Sequence, residues 1–393
     1  MSRLFVGNFE FERALGNARH TPRDSVRRTC AELASVWVGV AEDGDFVWTP
    51  EPIDERFFDE LAAMGLPRVR AVLSASDVPA TTRLCPWGWT DALREWAQRS
   101  GWTRHAPPQA AVRQVNSRRF SFELEGEWGV GLAGASLITR ADELPAALQR
   151  LPAGCRRWVL KAEFGMAARE RLLGTGRAVT DEAAHWLSRR LASGCVVLEP
   201  WIERLEEAGL QFEIPDRSDP RLVDVTPLLT DAAGVYRGSR FDPDPLLHRP
   251  WSAAIATCHR AAGRLQALGY FGPCGFDAVR YRDFDGAVAT RPLQDINARW
   301  TMGRVALGFR RLLNRDEVGA WLHANWPGTS VGANQSWLEH VREHLPSEAR
   351  LIPTTPLRVG AAPTKHGTLV LAARTRADLI AAVAVVGNAP EPQ

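Results

Sequence analysis

A chain of 393 residues, 45% hydrophobic and 24% charged, has ordinary globular composition and the length for two or three domains around a substantial core. Its formal charge of +2, with arginines scattered rather than massed, leaves no footprint that demands nucleic acid or an anionic membrane as partner. The longest late apolar run, 379–386 (LIAAVAVV), falls far short of the roughly 18 residues a membrane span needs, and glutamates interrupt the N-terminus where a signal peptide is apolar, so a cytoplasmic protein is expected.

Six cysteines stand far apart, with no CxxC pair and no Cys/His grouping at zinc-ligand spacing, and read as free buried thiols. HExxH, GxSxG and GxxxxGK[ST] are all missing, which removes the zincin, α/β-hydrolase and P-loop classes. Of 48 basic residues only Lys161 and Lys365 are lysine. A lysine kept in such a background suits a place where a compact ammonium, rather than a planar guanidinium, meets a phosphate. Lys365, in PTKHG, reads as a turn residue; Lys161 does not.

In chain order, LFVGNF opens as a short apolar strand, and Trp87-Gly88-Trp89-Thr90 reads as a loop with Thr90 capping a helix that ends at Gly101. A small α/β domain to about residue 113 is expected, with Pro107-Pro108 near its end. NSRRFSFELEGEWG starts a helix with an arginine pair, ADELPAAL is a short helix, and RRWVLKA is a strand that delivers Lys161 at its end. EFGMAARERLLGTGRAV follows as a glycine-punctuated loop, whose backbone N–H groups suit an anion and whose arginines add charge. DEAAHWLSRRLASG is a helix, and CVVLEPWI is an apolar strand that Pro200 is expected to break, leaving the backbone groups of 199–202 free. QFEI and LVDVTPLL are strands, and SAAIATCHRAAGRLQALG is an amphipathic helix with Ile255, Ala262, Leu265 and Leu268 on its apolar side. In the last eighty residues RDEVGAWLHANW and SWLEHVREHLP read as helices and GTLVLAA as a strand.

Between these lies a hairpin. Phe276 to Arg282 alternates as one strand, Asp283-Phe284-Asp285-Gly286 is the turn, and 287–297 returns. With period two, Asp295 and Asn297 share one face. A two-residue turn at Asp285-Gly286 places Asp277 opposite Gln294, one residue out of phase. A bulge near Pro292, or a longer turn, brings Asp277 onto the face of Asp295 and Asn297. Such a trio of oxygen donors reads either as a solvated polar face or as a holder of Mg²⁺ that takes the rest of its shell from water and phosphate.

GYFGPCGFDAVRY followed by LQDINARWTMG resembles the closing signature of the ATP-grasp superfamily: an aspartate on one strand, then an acid, a hydrophobe, Asn, a small residue and Arg on the next. VNSRRFSFEL, VLKAEFG and VVLEPWI match the family's earlier pieces in the same order, and the resemblance covers roughly 113–310. It implies an α/β (α+β) fold with two lobes gripping ATP: a Rossmann-like domain at 1–113, a small lobe at 114–198, a large lobe with the metal site at 199–313, and a C-terminal extension at 314–393. It also implies roles. Lys161 would contact the α and β phosphates, Glu199, Trp201 and Ile202 would hold adenine at the hinge, and Glu207, or Glu206 beside it, the ribose. Asp277, Asp295 and Asn297 would hold Mg²⁺, or Mn²⁺ in its place, and Arg299 would stabilise the transferring phosphoryl group. Arg118 or Arg119 stands where many members carry another lysine, and Arg169 and Arg171 lie in the loop expected to close over the phosphates. Asp295 for the commoner glutamate is a departure.

The activity so implied is an ATP-dependent carboxylate-amine ligase making an amide or peptide bond through an acyl phosphate, with small-molecule acid and amine substrates, in the manner of ligases of one-carbon cofactor or peptide biosynthesis. The alternatives are a phosphotransferase on the same scaffold and an ATP-binding subunit without catalysis. A homodimer is the expected assembly.

Overall fold

The computed structural model describes the chain except residues 18–19, 103, 166–169, 243–244 and 390–393. Its strands fall into three main sheets. The first is parallel, in the order Arg70–Val72, Phe46–Trp48, Arg3–Val6, Arg83–Pro86. LFV is buried on both faces, as a strand in a covered parallel sheet must be. Thr90 caps the helix Asp91–Arg99 through its hydroxyl, and Gly101 follows in the left-handed region at φ +69°.

The second sheet is antiparallel: Ser136–Ile138, Val196–Pro200, Arg157–Ala162, Arg171–Thr175. Leu144–Gln149 and Asp181–Leu191 are its helices, and Trp158, Leu160, Leu198 and Leu187 form a core of its own. Here the glycine-punctuated reading is corrected, because 171–175 is a strand paired with 157–161. Gly174 is a strand residue over which the buried Trp158 ring lies: a Cβ there would come within 2.1 Å of it. Pro200 does not break its strand either. It pairs with Trp158, and Trp201 N–H still donates to Arg157 C=O at 2.9 Å. Proline costs nothing there because the other neighbour, Ser136–Ile138, stops pairing at Leu198.

The third sheet has eight antiparallel strands, in the order Val288–Asn297, Gly272–Arg282, Glu203–Ile214, Arg221–Thr230, Tyr236–Phe241, Val318–Asn325, His366–Ala373, Ala349–Pro353. Three of its strands come from the last eighty residues, which therefore complete the large lobe's sheet. The GAWLHAN stretch, expected as helix, is one of them. It is paired on both edges with Trp321 fully buried, and so short an apolar run fits a buried strand as well as a helix. The helix Ser252–Ala267 packs on this sheet, with Ala254, Cys258, Ala261 and Leu265 at the centre of its buried stripe and Ile255 and Leu268 at the margin. No helix among the described residues is long and apolar enough to cross a membrane.

One core joins the parallel sheet to the large lobe: Phe5 stacks on Trp37 at 4.9 Å, Trp300 meets Trp37 edge-on at 5.8 Å, and Phe309 stacks on Trp321 at 5.4 Å. At their seam the helix Met302–Gly308 touches the 3₁₀ turn Ala34–Gly39 backbone to backbone, and a Cβ on Gly308 would fall 1.3 Å from the Gly39 carbonyl oxygen. Gly308→Ala is therefore expected to cost about 1–3 kcal/mol by overpacking. A urea unfolding midpoint equal to that of the unaltered chain would contradict this contact.

Candidate nucleotide and metal site

The hairpin sets the geometry. Arg282 pairs with Val288, so the turn spans 283–287 rather than two residues, closed by Asp283 N–H to Ala287 C=O at 2.8 Å. The register then shifts between Asp277 and Val279, and the returning strand fits 292–294 opposite the single residue Ala278. Proline cannot donate to the ladder, and the bulge falls on it. Its effect is to bring Asp277 directly opposite Asp295, with Asn297 opposite Gly275.

Asp277 Oδ2 accepts a hydrogen bond from Asn297 Nδ2 at 3.0 Å. Burial, and then the carboxylate of Asp295, push the Asp277 carboxyl up to about 7. Asp295 faces Arg118, Nε to Oδ1 at 3.2 Å and Nη2 to Oδ2 at 3.3 Å, and Arg118 also donates to Ala162 C=O at 2.7 Å. Arg299 donates through Nη2 to Asn297 Oδ1 at 2.9 Å and is anchored by Glu12 at 2.5 Å. Among the described residues no three His, Cys, Asp or Glu side chains converge as ligands. The donor set is two carboxylates and one amide, all hard oxygen, and a cation beside it offsets the repulsion that raises Asp277. On that count the residues fit Mg²⁺ or Mn²⁺.

Above the pair opens a cleft of about 750 Å³ lined by Lys161, Arg118, Arg171, Glu199, Trp201, Ile202, Glu207 and Asp295. Leu132, Val159 and Ile202 give it apolar lining, while Arg204 lies 4.7 Å over the Trp201 ring. Glu207 accepts from Thr230 Oγ1 at 2.6 Å and from Gln294 Nε2 at 3.3 Å. Glu206 does not line this cleft; it is exposed and paired with Arg280. Arg119 does not line it either. Arg171 begins a strand opposite Lys161, with its guanidinium 5.8 Å over Trp201. Arg169 lies outside the described residues.

Lys161 Nζ stands 2.7 Å from Glu199 Oε2, which engages one of its three donors. The other oxygen of Glu199 takes Arg291 Nη2 at 2.8 Å, and Arg291 grips Glu125 through two bonds of 2.6 and 2.8 Å. Burial works against the charge of Glu199, but Arg291 and Lys161 outweigh it and hold the carboxyl far below its usual range. Among the described residues the Glu125 carboxylate pairs with Arg291 alone, and burial pushes it up. Sequence reasoning singles out neither Glu125 nor Arg291. The one signal is an arginine inside the strand run VATRPLQDIN, and its partner lies 166 residues away.

No protein-family model matches the chain, and no curated protein does. Solved structures do. N5-carboxyaminoimidazole ribonucleotide synthetase from Thermus thermophilus superposes with a TM-score of 0.56 over 100% of this chain and 99% of its own, at 15% identity. A biotin carboxylase complex with an ATP analogue from Campylobacter jejuni gives 0.57 over 99% and 91%, at 12% identity. The chain has the ATP-grasp fold. The N5-carboxyaminoimidazole synthase from Aspergillus clavatus, bound to ADP and aminoimidazole ribonucleotide, gives 0.54 over 98% and 99%, at 11% identity. In this fold the parallel sheet precedes the two lobes, and residues of both line the cleft described above.

Two outcomes follow. Arg291→Leu strands the buried Glu125 and leaves Glu199 with Lys161 alone, and is expected to cost about 3–5 kcal/mol in chemical unfolding; a variant within experimental error of the parent would show the ion network to be idle. For Asp277, the folded chain holds the proton more tightly (about 7 against an ordinary 3.8), so its ionisation works against folding as pH rises between those values and does so fully above 7. With chelator present, Asp277→Asn should melt above the parent at pH 8, by about 1–3 kcal/mol, and level with it near pH 4. Equal melting at both pH values would refute the coupling.

Proposed function

We propose that this chain is an ATP-dependent carboxylate-amine ligase. What carries the reading is the convergence, on one cleft between two lobes, of Lys161, the hinge 199–202, Glu207 and Asp295, with Asp277 directly opposite that aspartate. The likeness to structures that hold ATP or ADP supports it. The residues divide the work as follows. The apolar lining at Leu132, Val159 and Ile202 takes the base, the hinge backbone reads its edge, and Glu207 accepts from the ribose hydroxyls. Lys161, with two donors left beside Glu199, reaches the phosphates, and Arg118 and Arg171 add charge around them. Asp277, Asp295 and Asn297 would hold Mg²⁺ or Mn²⁺, which when bound neutralises charge on the triphosphate.

An oxygen of the substrate carboxylate attacks the γ-phosphorus, the bond to ADP breaks, and an acyl phosphate forms. The amine nitrogen then adds at the acyl carbon, phosphate leaves, and the nitrogen gives up its proton. Arg299, fixed by Glu12 and Asn297, offers its guanidinium to the charge that builds on the transferring group. This is chemistry of positioning and electrostatics, and it needs no nucleophilic side chain. Within this reading, residues 1–113 form the preceding domain, 114–198 the small lobe, 199–313 the large lobe, and 314–393 complete its sheet. One observation favours the degenerate alternative: Arg118 already neutralises Asp295.

ADP release decides between the readings. It should require both an acid and an amine from a panel of small molecules, amino acids included, and Lys161→Ala and Asp295→Asn should each lower it by about 10²–10³-fold. Lys161→Arg should not restore it, because the planar fork replaces a point charge. ADP release that ignores the amine would point to phosphotransfer, and nucleotide binding without turnover to a degenerate site.

A further inference from the structure

A second cleft, of about 1490 Å³, opens beside Arg299 between the parallel sheet and the large lobe. Six arginines line it, Arg3, Arg83, Arg221, Arg299, Arg304 and Arg311, against the carboxylates of Glu42 and Glu213. Some are committed. Arg3 is held by Asp45 at 2.6 Å, Arg299 by Glu12, and Arg311 reaches the Ala41 carbonyl at 3.4 Å. Others are not. Arg83 and Arg221 are exposed at the rim with no side-chain hydrogen bond or ion pair among the described residues. Arg304 spans 3.3 Å from Nη2 to Glu213, yet its Nη1 is buried with no hydrogen-bond partner. A buried, charged donor left unpaired is costly, and burial together with nearby Arg221 disfavours the Arg304 charge further. A bound anion remedies both.

The walls add shape. The Trp300 ring lies under the Arg304 guanidinium at 5.7 Å and Trp87 under Arg299 at 5.3 Å, with Trp89 lining the same space. Flat rings beside guanidiniums favour a planar, unsaturated ligand. Arg299 lines this cleft and donates to Asn297 at 2.9 Å, which places one end of such a ligand beside the residues proposed to hold the cation.

We propose that this cleft takes the acid to be activated, and that the acid is flat and at least dianionic: a ring carboxylate that also bears a phosphate or a second carboxylate. Its reacting carboxylate meets Arg299 and its other anionic group meets Arg304 and Arg221. The word "activated" rests on the ligase reading; the anion site rests on the arginines alone.

The test is calorimetric titration of the full chain without nucleotide, using benzoate, terephthalate and 4-carboxyphenyl phosphate. At least one doubly functional probe should bind about tenfold or more tightly than benzoate, the gain of one charge-assisted contact. Whichever of the two binds more tightly names the second group. Arg304→Gln and Arg221→Gln should each shrink that ratio, and the affinity for a non-hydrolysable ATP analogue with Mg²⁺ should stay as in the parent. Should Arg304→Gln fail to fold, Arg221→Gln, on the exposed rim, answers the question. A ratio near one in the parent, or a ratio unmoved by Arg221→Gln and any folded Arg304→Gln, overturns the proposal. If the ratio holds while the ATP analogue does not bind, the ligase reading falls and the anion site stands.

Discussion

Four charges in a row, the half-buried Lys161 and the buried Glu199, Arg291 and Glu125, hold the first cleft in shape. Each comes from a different element: the strands Arg157–Ala162, Val196–Pro200 and Val288–Asn297, and the helix Arg118–Trp128. Taken singly, each would be expelled to water or neutralised. Together they sum to zero and satisfy one another, so none can leave without stranding a neighbour. In the proposed function the row also aligns the site, because the lysine proposed to meet the nucleotide is positioned by Glu199, which is itself fixed by an arginine four residues before Asp295. Whatever moves the hinge moves the cation and the acidic pair with it.

That acidic pair depends on a local irregularity. In an unbroken ladder with a tight turn, Asp277 and Asp295 would lie on opposite faces. The longer turn corrects the phase, and the crowding of 292–294 opposite Ala278 then slides the returning strand by two residues, so that Asp295 stands directly opposite Asp277. Burial, and then the repulsion between the two carboxylates, displaces the Asp277 carboxyl upward. Such strain is tolerable where a cation is expected and wasteful elsewhere.

Much of this is legible from short-range pattern. Period-two alternation finds the hairpin and the need for a phase correction, which the longer turn supplies, while the bulge at Pro292 adjusts the register by two; the scarcity of lysine draws the eye to Lys161. The ATP-grasp fold is legible from the order of four loose motifs, and the small lobe's two central strands, Arg157–Ala162 and Val196–Pro200, from their apolar runs. What escapes is long-range or double-valued. Glu12 meets Arg299 across 287 residues and Glu125 meets Arg291 across 166, distances at which sequence carries no pairing signal. The stretch 318–325 reads as helix from sequence because a short apolar run fits both forms until its neighbours on the sheet are known. The strand 171–175 reads as loop when glycine is weighed as punctuation, whereas Gly174 makes room for the ring of Trp158.

The shared core and the glycine seam at Gly39 and Gly308 make the parallel sheet and the large lobe a single mechanical piece, whereas the small lobe carries its own core. The two clefts thus differ in kind. The arginine-lined one is a fixed mould that must accept its guest by diffusion into a preset outline. The other has one jaw with a core of its own, fastened to the opposite jaw through the Glu199–Arg291 ion pair.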